Sequence, residues 1–455
     1  MKKRHLVRAI AAGALSLAAV ALPASVASAR PVHGPTVWVN NGAAVGTDSS
    51  CTSPGFSTIQ SAIDVAQLES GTVEVCSSAT PYTEQLTITG NVSLVAVGAV
   101  AIDLPAAPVN STTSCDLAVG GTQQDEVSIC GASASLTGAF TISSFFPDEG
   151  CAPGLFGIFV GQGGSLTAAP APTGGAGLTI SGAGVALGSP DTGCQQGVAI
   201  EVGSWSSTPG QSQSASASIT KANISGYQKS GIVAQAAGTT LSVTSSTITG
   251  RGDALANNTA ENGIEVDLGA KGTLTKDTVS ADECDPNAGV QCGPNLFEDY
   301  WGSGVLFYQP AAGSTLTKST ITGNDVGVYY GSGAATAPAS PEVALSTNSL
   351  TGNRWGGLVL DQGSLSSSHD TINGTGAVGI AIFQYASQTF GSVDFASHDK
   401  IVGQTTAISV LSDEAPGDFP GSLTISSSKF ASGNTNLITN NSPGGNFVIS
   451  GPHDH

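Results

Sequence analysis

Four carboxylates, Glu201, Glu265, Asp267 and Asp361, lie in or just after short phrases that read Gly, apolar, any residue, apolar. Examples are Gly197-Val198-Ala199-Ile200, Gly263-Ile264-Glu265-Val266 and Gly357-Leu358-Val359-Leu360. Side chains alternate across a strand, so the residues between and after the inward apolar pair point outward. The outward pairs are then Ala199/Glu201, Val233/Gln235, Glu265/Asp267, Leu306/Tyr308, Tyr329/Gly331 and Val359/Asp361. Glu265 and Asp267 would have Cα atoms about 6.5–7 Å apart, which permits the carboxylate separation of about 6.5–9.5 Å used by inverting glycosidases. Tyr308 and Tyr329 add rings to the same face. Two chemistries follow: glycan binding by stacking and hydrogen bonding, and glycoside hydrolysis by two of the four carboxylates. The plainer explanation is that outward strand positions are polar because they meet water.

A second concentration of chemistry lies in the excursion from Ala281 to Ser303. Asp282, Glu283, Asp285, Glu298 and Asp299 supply oxygen ligands that could hold Ca²⁺, although their spacing follows no regular calcium loop. Tyr300 and Trp301 could stack on sugar rings, and long loops in compact domains are often functional. His369-Asp370 and His398-Asp399 recur at one position of successive repeats. They read either as a metal or proton-transfer pair or as a side-chain ladder that satisfies backbone groups at a turn. The ladder is the expectation. Arg251-Gly252-Asp253 in a loop spells an adhesion tripeptide, a pattern short enough to arise by chance.

The elements that position these residues come from a second phrase, Thr/Ser, Ile/Leu/Val, Thr/Ser, usually closed by Gly. It appears as Thr247-Ile248-Thr249-Gly250, Thr320-Ile321-Thr322-Gly323 and Ser349-Leu350-Thr351-Gly352, among others. Alternation at a repeat length of tens of residues signals stacked strands, hence a solenoid. Apolar beats align between repeats at Ile248, Val279, Ile321, Leu350, Ile372 and Ile401, and at Ile264, Val305, Val328, Leu358, Ile380 and Ile408. Stacked about 4.8 Å apart, these columns form a dry interior. The hydroxyls flanking the second phrase form two ranks. They are similar to those of β-solenoid ice-binding proteins, but Asn223, Asn373, Lys400 and Lys429 interrupt them and cross-strand contacts explain them. Near the start, Ile59, Ala62, Ile63 and Ala66 have helical spacing, with Ser57 as N-cap and Gly71 ending the helix. Strands follow at 72–76, 85–89 and 92–97.

The run FSTIQSAIDVAQ, the later GTVEVCSSATPYTEQLTITGNVSLVAVG and repeats of the STITGNDVGVYY type resemble secreted proteins of the pectin lyase-like superfamily. The resemblance covers residues 36–450. It implies an all-β, single-stranded right-handed parallel β-helix with three strands per coil and a short N-terminal capping helix. It also implies that the Gly-led strand carries the functional cleft. Function does not follow from this fold. The paired aspartates with Gly-His-Gly and Arg-x-Lys of polygalacturonase-like hydrolases are missing. A lyase needs a base for the proton alpha to a carboxylate, and the candidate face shows no Lys or Arg.

Composition narrows the partners. Residues 1–29 read as a signal peptide: basic Lys2, Lys3, Arg4 and Arg8, an apolar run, then Ala27-Ser28-Ala29. Residues 30–56 form a lead-in segment, 57–450 the β-helix and 451–455 a tail. Removing the four basic residues of the leader from the 14 Lys and Arg leaves ten against 33 Asp and Glu, a net charge of about −23. Such a surface disfavours nucleic acid, anionic membranes and unassisted capture of polyuronates. No stretch after the leader is long and apolar enough to span a bilayer. The expectation is a monomeric protein, secreted or loosely held at the cell wall, binding an extracellular or cell-wall glycan, with hydrolase or lyase activity and a structural or adhesive role as alternatives. Eight cysteines in an exported chain read as disulfides. Sequence neighbours stay close in a solenoid, which predicts Cys51–Cys76, Cys115–Cys130, Cys151–Cys194 and Cys284–Cys292.

Overall fold

A computed structural model of the protein describes residues 34–111, 123–147, 154–185, 196–252, 260–284, 291–296, 299–331, 342–361, 365–374, 376, 378–384, 392–395, 399–412, 421–425, 429–430, 434, 436–440 and 447–450. The leader and the tail lie outside them. Each coil contributes three strands, for example Thr240–Thr244, Thr247–Thr249 and Asn262–Asp267. Like strands of successive coils pair in parallel, giving a first sheet of fourteen strands and a second and third of twelve each among the described residues. The predicted columns are in register: Ile248 beside Val279, Val279 beside Ile321 and Ile264 beside Val305. Their side chains are fully buried.

The Gly at the head of the third-sheet phrase has a packing reason. A Cβ on Gly231 would come within 2.6 Å of both the Gly263 carbonyl and the Ile248 side chain. The same crowding recurs at Gly263, Gly304, Gly327, Gly357 and Gly379, each against a carbonyl of the next coil. Backbone and β-branched side chains of neighbouring sheets meet too closely here for any side chain.

The tight corner between the first and second sheets repeats one conformation. Ser245, Lys276, Lys318, Thr347 and His369 take φ of 55°, 60°, 55°, 61° and 58°, and the next residue turns its side chain inward. There it accepts a backbone N–H from the preceding coil: Ser246 N to Asp277 Oδ1 at 2.8 Å, Ser319 N to Asn348 Oδ1 at 2.9 Å, Asn348 N to Asp370 Oδ1 at 2.6 Å and Asp370 N to Asp399 Oδ1 at 2.7 Å. Asp370 and Asp399 of the His-Asp repeat are therefore rungs of a buried ladder, as the turn explanation expects; His398 lies outside the described residues. Asp277→Ala should cost about 1–3 kcal/mol in chemical denaturation, because Ser246 and Thr275 N–H lose their acceptor.

The helix spans Ile59–Ala66 and buries Ile59, Ala62, Ile63 and Ala66 against the first coils. Its N-cap is Thr58 rather than Ser57. The Glu84 carboxylate accepts the first free amides, Ile59 N at 2.8 Å and Gln60 N at 3.0 Å, which fixes the start one residue later. Cys51–Cys76 and Cys284–Cys292 are formed. Cys130 is disulfide-bonded, while Cys115, Cys151 and Cys194 lie outside the described residues. Among those residues no helix is long and apolar enough to cross a membrane.

Candidate functional site

The outer face of the third sheet gathers three of the four predicted carboxylates. One outward rank runs Phe159, Glu201, Val233, Glu265, Leu306, Tyr329, Val359. The next contains Gln235, Asp267, Tyr308, Gly331 and Asp361. Glu201 thus shares a rank with Glu265 and not, as the Gly-led phrase suggests, with Asp267. The cause lies at Gly197, which directly precedes the strand Val198–Val202 at φ 94°. Ile200 and Val202, rather than Val198 and Ile200, then face the core, and Val198 joins an outer apolar patch.

The stripe is not open to water as its outward direction implies. Glu201 is 2 % exposed and Asp267 7 %. Phe159 and Val233 flank Glu201 on both neighbouring strands, and Phe156, Val198 and Cys130 complete an apolar patch on that side. On the other side Leu296, Val326, Val359 and Phe383 form a second patch with Trp301, Tyr329 and Trp355. Between the two, Gln235 donates to Glu201. Ser230 Oγ and Asn262 Nδ2 donate to Glu265 at 3.4 and 3.2 Å. Burial, more than the negative charges of Glu265 and Asp125, holds the Glu201 carboxyl well above the usual range. Burial first, then Glu265 and Glu201, pushes Asp267 up to about 10. Asp267 is hydrogen-bonded to Glu265, so these carboxyls touch instead of standing apart to admit a water. The face also has a cation: half-buried Lys229 lies in the field of Glu265 and Glu261, with Nζ donating to the Ala260 carbonyl at 2.8 Å.

These protonated acids set the pH dependence of stability. Burial pushes Asp277 and Asp399 up to about 7 and Glu126 to about 9. An acid whose folded pKa is raised binds its proton more tightly in the fold. Its contribution is therefore complete below its unfolded pKa of about 4 and is lost as pH rises through the folded value. The thermal midpoint should fall from pH 5 to pH 9 by several degrees, at about 1.4 kcal/mol for each tenfold preference of the proton for the fold. A scanning-calorimetry series that rises over this range would contradict it.

The Ala281–Ser303 excursion is moored beside this face. Asp325 Oδ2 accepts from Cys284 N at 2.6 Å and from Gly302 N at 2.9 Å, pinning both ends of the loop. Asn324 Oδ1 accepts from Asp282 N at 2.9 Å. Arg354 pairs with Asp325 at 2.5 Å and Glu283 at 3.4 Å and lies 4.9 Å over the Trp355 ring. Trp301 packs on Tyr329 at 5.1 Å between centroids, and the Tyr329 hydroxyl donates to Asp361 at 2.6 Å. Asp361 therefore belongs to an aromatic subsite, apart from the carboxyl cluster. Tyr308 stands beside Asp267, and Tyr300 is 49 % exposed.

The three described loop carboxylates take separate partners. Asp282 is buried and accepts from Tyr227 Oη at 2.5 Å, Glu283 faces Arg354, and Asp299 accepts from Asn295 N at 3.0 Å. Asp285 and Glu298 lie outside the described residues, among which no three Asp, Glu, His or Cys side chains gather to hold a metal. Arg251 is turned inward, donating to the Gly226 and Val185 carbonyls at 2.7 and 3.0 Å. The tripeptide therefore does not present its guanidinium, and Asp253 lies outside the described residues. Asp325, Arg354 and Lys229 escaped the sequence reading. The available signal was Asn324-Asp325 and Asn353-Arg354, each directly after a Gly-closed phrase.

A family model described as the right-handed beta helix region matches residues 210–395. The fold is similar to the periplasmic alginate epimerase AlgG, with 10 % identity, 85 % of this chain and 78 % of that chain covered, and a TM-score of 0.50. Lower similarity extends to the Azotobacter vinelandii mannuronan C-5 epimerase AlgE4 A-module (14 % identity, 87 % and 94 % covered, TM-score 0.45). It extends also to PfbA, a surface adhesin of Streptococcus pneumoniae (9 % identity, 84 % and 86 % covered, TM-score 0.34). No curated protein matches the chain by sequence. At these identities the likeness is one of fold.

Proposed function

We propose that this chain, which has the right-handed parallel β-helix fold of the pectin lyase-like superfamily, binds an extracellular or cell-wall polysaccharide on the outer face of its third sheet. The observation that carries the reading is the Trp301–Tyr329 platform, fixed by the Asp325 clamp beside Glu201, Glu265 and Asp267. The Trp301 ring on the moored loop and the Tyr329 ring on its strand supply apolar area at small entropic cost, and the carboxyl cluster supplies directional hydrogen bonds. The named substrate of the alginate epimerase neighbour, a polysaccharide, supports this class of ligand. Disulfides at Cys51–Cys76 and Cys284–Cys292 fit an exported protein.

A glycoside hydrolase is the second reading, favoured by the burial of Asp267, which together with Glu265 and Glu201 raises its carboxyl toward the protonated state a general acid needs. Against it, the contact between Asp267 and Glu265 leaves none of the roughly 5 Å or more that glycosidase carboxyl pairs keep. Asp267→Asn separates the two, since a hydrolase loses turnover while retaining affinity and a binder has no turnover to lose. Trp301→Ala should weaken retention on the cognate glycan about tenfold or more, as expected for one aromatic anchor. Affinity electrophoresis with and without Ca²⁺ reads this directly; unchanged mobility of the variant would remove the loop from the site.

A further inference from the structure

We propose that the corner between the first and second sheets is a separate binding surface, for an anionic polysaccharide lying along the coil stack. This goes beyond the third-sheet reading and does not depend on it. Successive coils place Lys221, Ser245, Lys276, Lys318, Thr347 and His369 at one corner position, all of them exposed. Each corner is locked to the next by a backbone bond, as from Lys276 N to the Thr317 carbonyl and from Lys318 N to the Ser346 carbonyl, both 2.9 Å. The lysines therefore stand in a row, one or two coil spacings of about 4.8 Å apart. The fold does not need cations here. The three lysines hold the left-handed conformation, at φ of 53°, 60° and 55°, which glycine and asparagine adopt more cheaply. Like charges on neighbouring strands repel, and among the described residues none of the three lysines has an ion pair to offset this. The rungs Asp277 and Asp370, next in sequence to Lys276 and His369, are buried, and burial raises both carboxyls, Asp277 to about 7.

The surroundings suit an anionic glycan. From Ser133 to Asn373 the described strands of the first and second sheets contain no Asp or Glu, although the chain holds 33. Hydroxyls flank the row instead: Thr220, Thr244 and Thr275 on one side, Thr247, Thr278 and Thr320 on the other. They can donate to and accept from sugar hydroxyls alike. A hollow of about 340 Å³ on the first-sheet face is lined by Thr167, Ser218, Ser242 and Thr273; Lys271 stands in its wall, and Lys276 follows the same strand. The net negative charge of the chain lies elsewhere. Exposed charges are screened beyond about 8 Å at physiological salt, and sheets packed across a core stand about 10 Å apart, so the third-sheet acids act weakly on the row. Lysine ammoniums are compact point charges and take a carboxylate or a sulfate equally.

The test is retention on immobilised polygalacturonate, dextran sulfate and neutral dextran. The parent should be held by at least one anionic polymer and not by dextran, the tighter of the two naming the anion. With three ammoniums engaged, affinity should fall roughly tenfold between about 0.05 M and about 0.2 M salt. Lys221→Gln combined with Lys276→Gln and Lys318→Gln should keep the thermal midpoint, since the three side chains are exposed, and weaken retention about tenfold or more. Lys221→Arg combined with Lys276→Arg and Lys318→Arg should preserve it. Adding Asp64→Lys and Glu69→Gln, both exposed near the N-terminal helix, to the Gln triple restores the net charge and should not restore binding. Recovery with that pair would overturn the inference in favour of diffuse attraction. Equal retention of the parent and the Gln triple, or of the parent on all three polymers, would overturn it outright. So would a parent that sediments as an assembly which the Gln triple dissolves, because the row would then face a second copy of the chain.

Discussion

Gly263→Val should leave the chain unable to hold its coil stack, with a loss above about 3 kcal/mol. Ordinary overpacking costs about 1–3 kcal/mol because side chains can shift. Here the first added carbon meets the Gly304 carbonyl at 2.6 Å and the Asp282 carboxylate at 2.7 Å. A backbone carbonyl that already pairs with the next coil cannot retreat without dragging that coil. Gly323 is the contrast: it has open space around its Cβ direction and only a φ of 68° to satisfy, so Gly323→Ala should cost about 1 kcal/mol. Guanidinium unfolding of the two variants distinguishes packing from backbone conformation. Equal midpoints would show that the glycine column is not a packing constraint.

Asp325→Ala is expected to abolish glycan retention while leaving most of the solenoid folded. It removes the acceptor for Cys284 N and Gly302 N and strands Arg354 beside Glu283. Breaking a buried ion pair in this way costs about 3–5 kcal/mol, and the cost should fall on the loop because Asp325 holds both of its ends. Without that mooring Trp301 leaves Tyr329 and the platform disappears. Hydrogen exchange should quicken in residues 281–303 and stay slow in the strands of the second sheet. Intact binding with a freely exchanging loop would mean that the platform is not part of the site.

Much of this architecture was legible because period-2 alternation and stacked coils leave few choices. Ile248, Val279 and Ile321 could face only the core, and the corner ladder followed from Asp, Asn and Ser recurring at one turn position. The register of Glu201 was misread because a Gly just ahead of a strand and a Gly in the crowded column look alike in sequence; only the neighbouring strand separates Gly197 from Ala199, which meets Gly157 in that column. Burial of Glu201 and Asp267 was not legible either. Alternation gives the direction of a side chain and says nothing of its neighbours across the sheet, and the residues that flank Glu201, Phe159 and Val233, belong to other coils. The clamp was hidden for a similar reason, since Asp325 and Arg354 pair across 29 residues.

Polysaccharide binding on one face of the third sheet, with its moored loop, can be tested in a single assay. The most direct measurement passes the purified protein and its Trp301→Ala variant over immobilised plant, fungal and bacterial polysaccharides while assaying reducing ends and unsaturated products. Retention of the parent on at least one polymer, lost in the variant and without product release, is the predicted result. Release of sugar would make the protein an enzyme, and equal behaviour of parent and variant on every polymer would contradict the site.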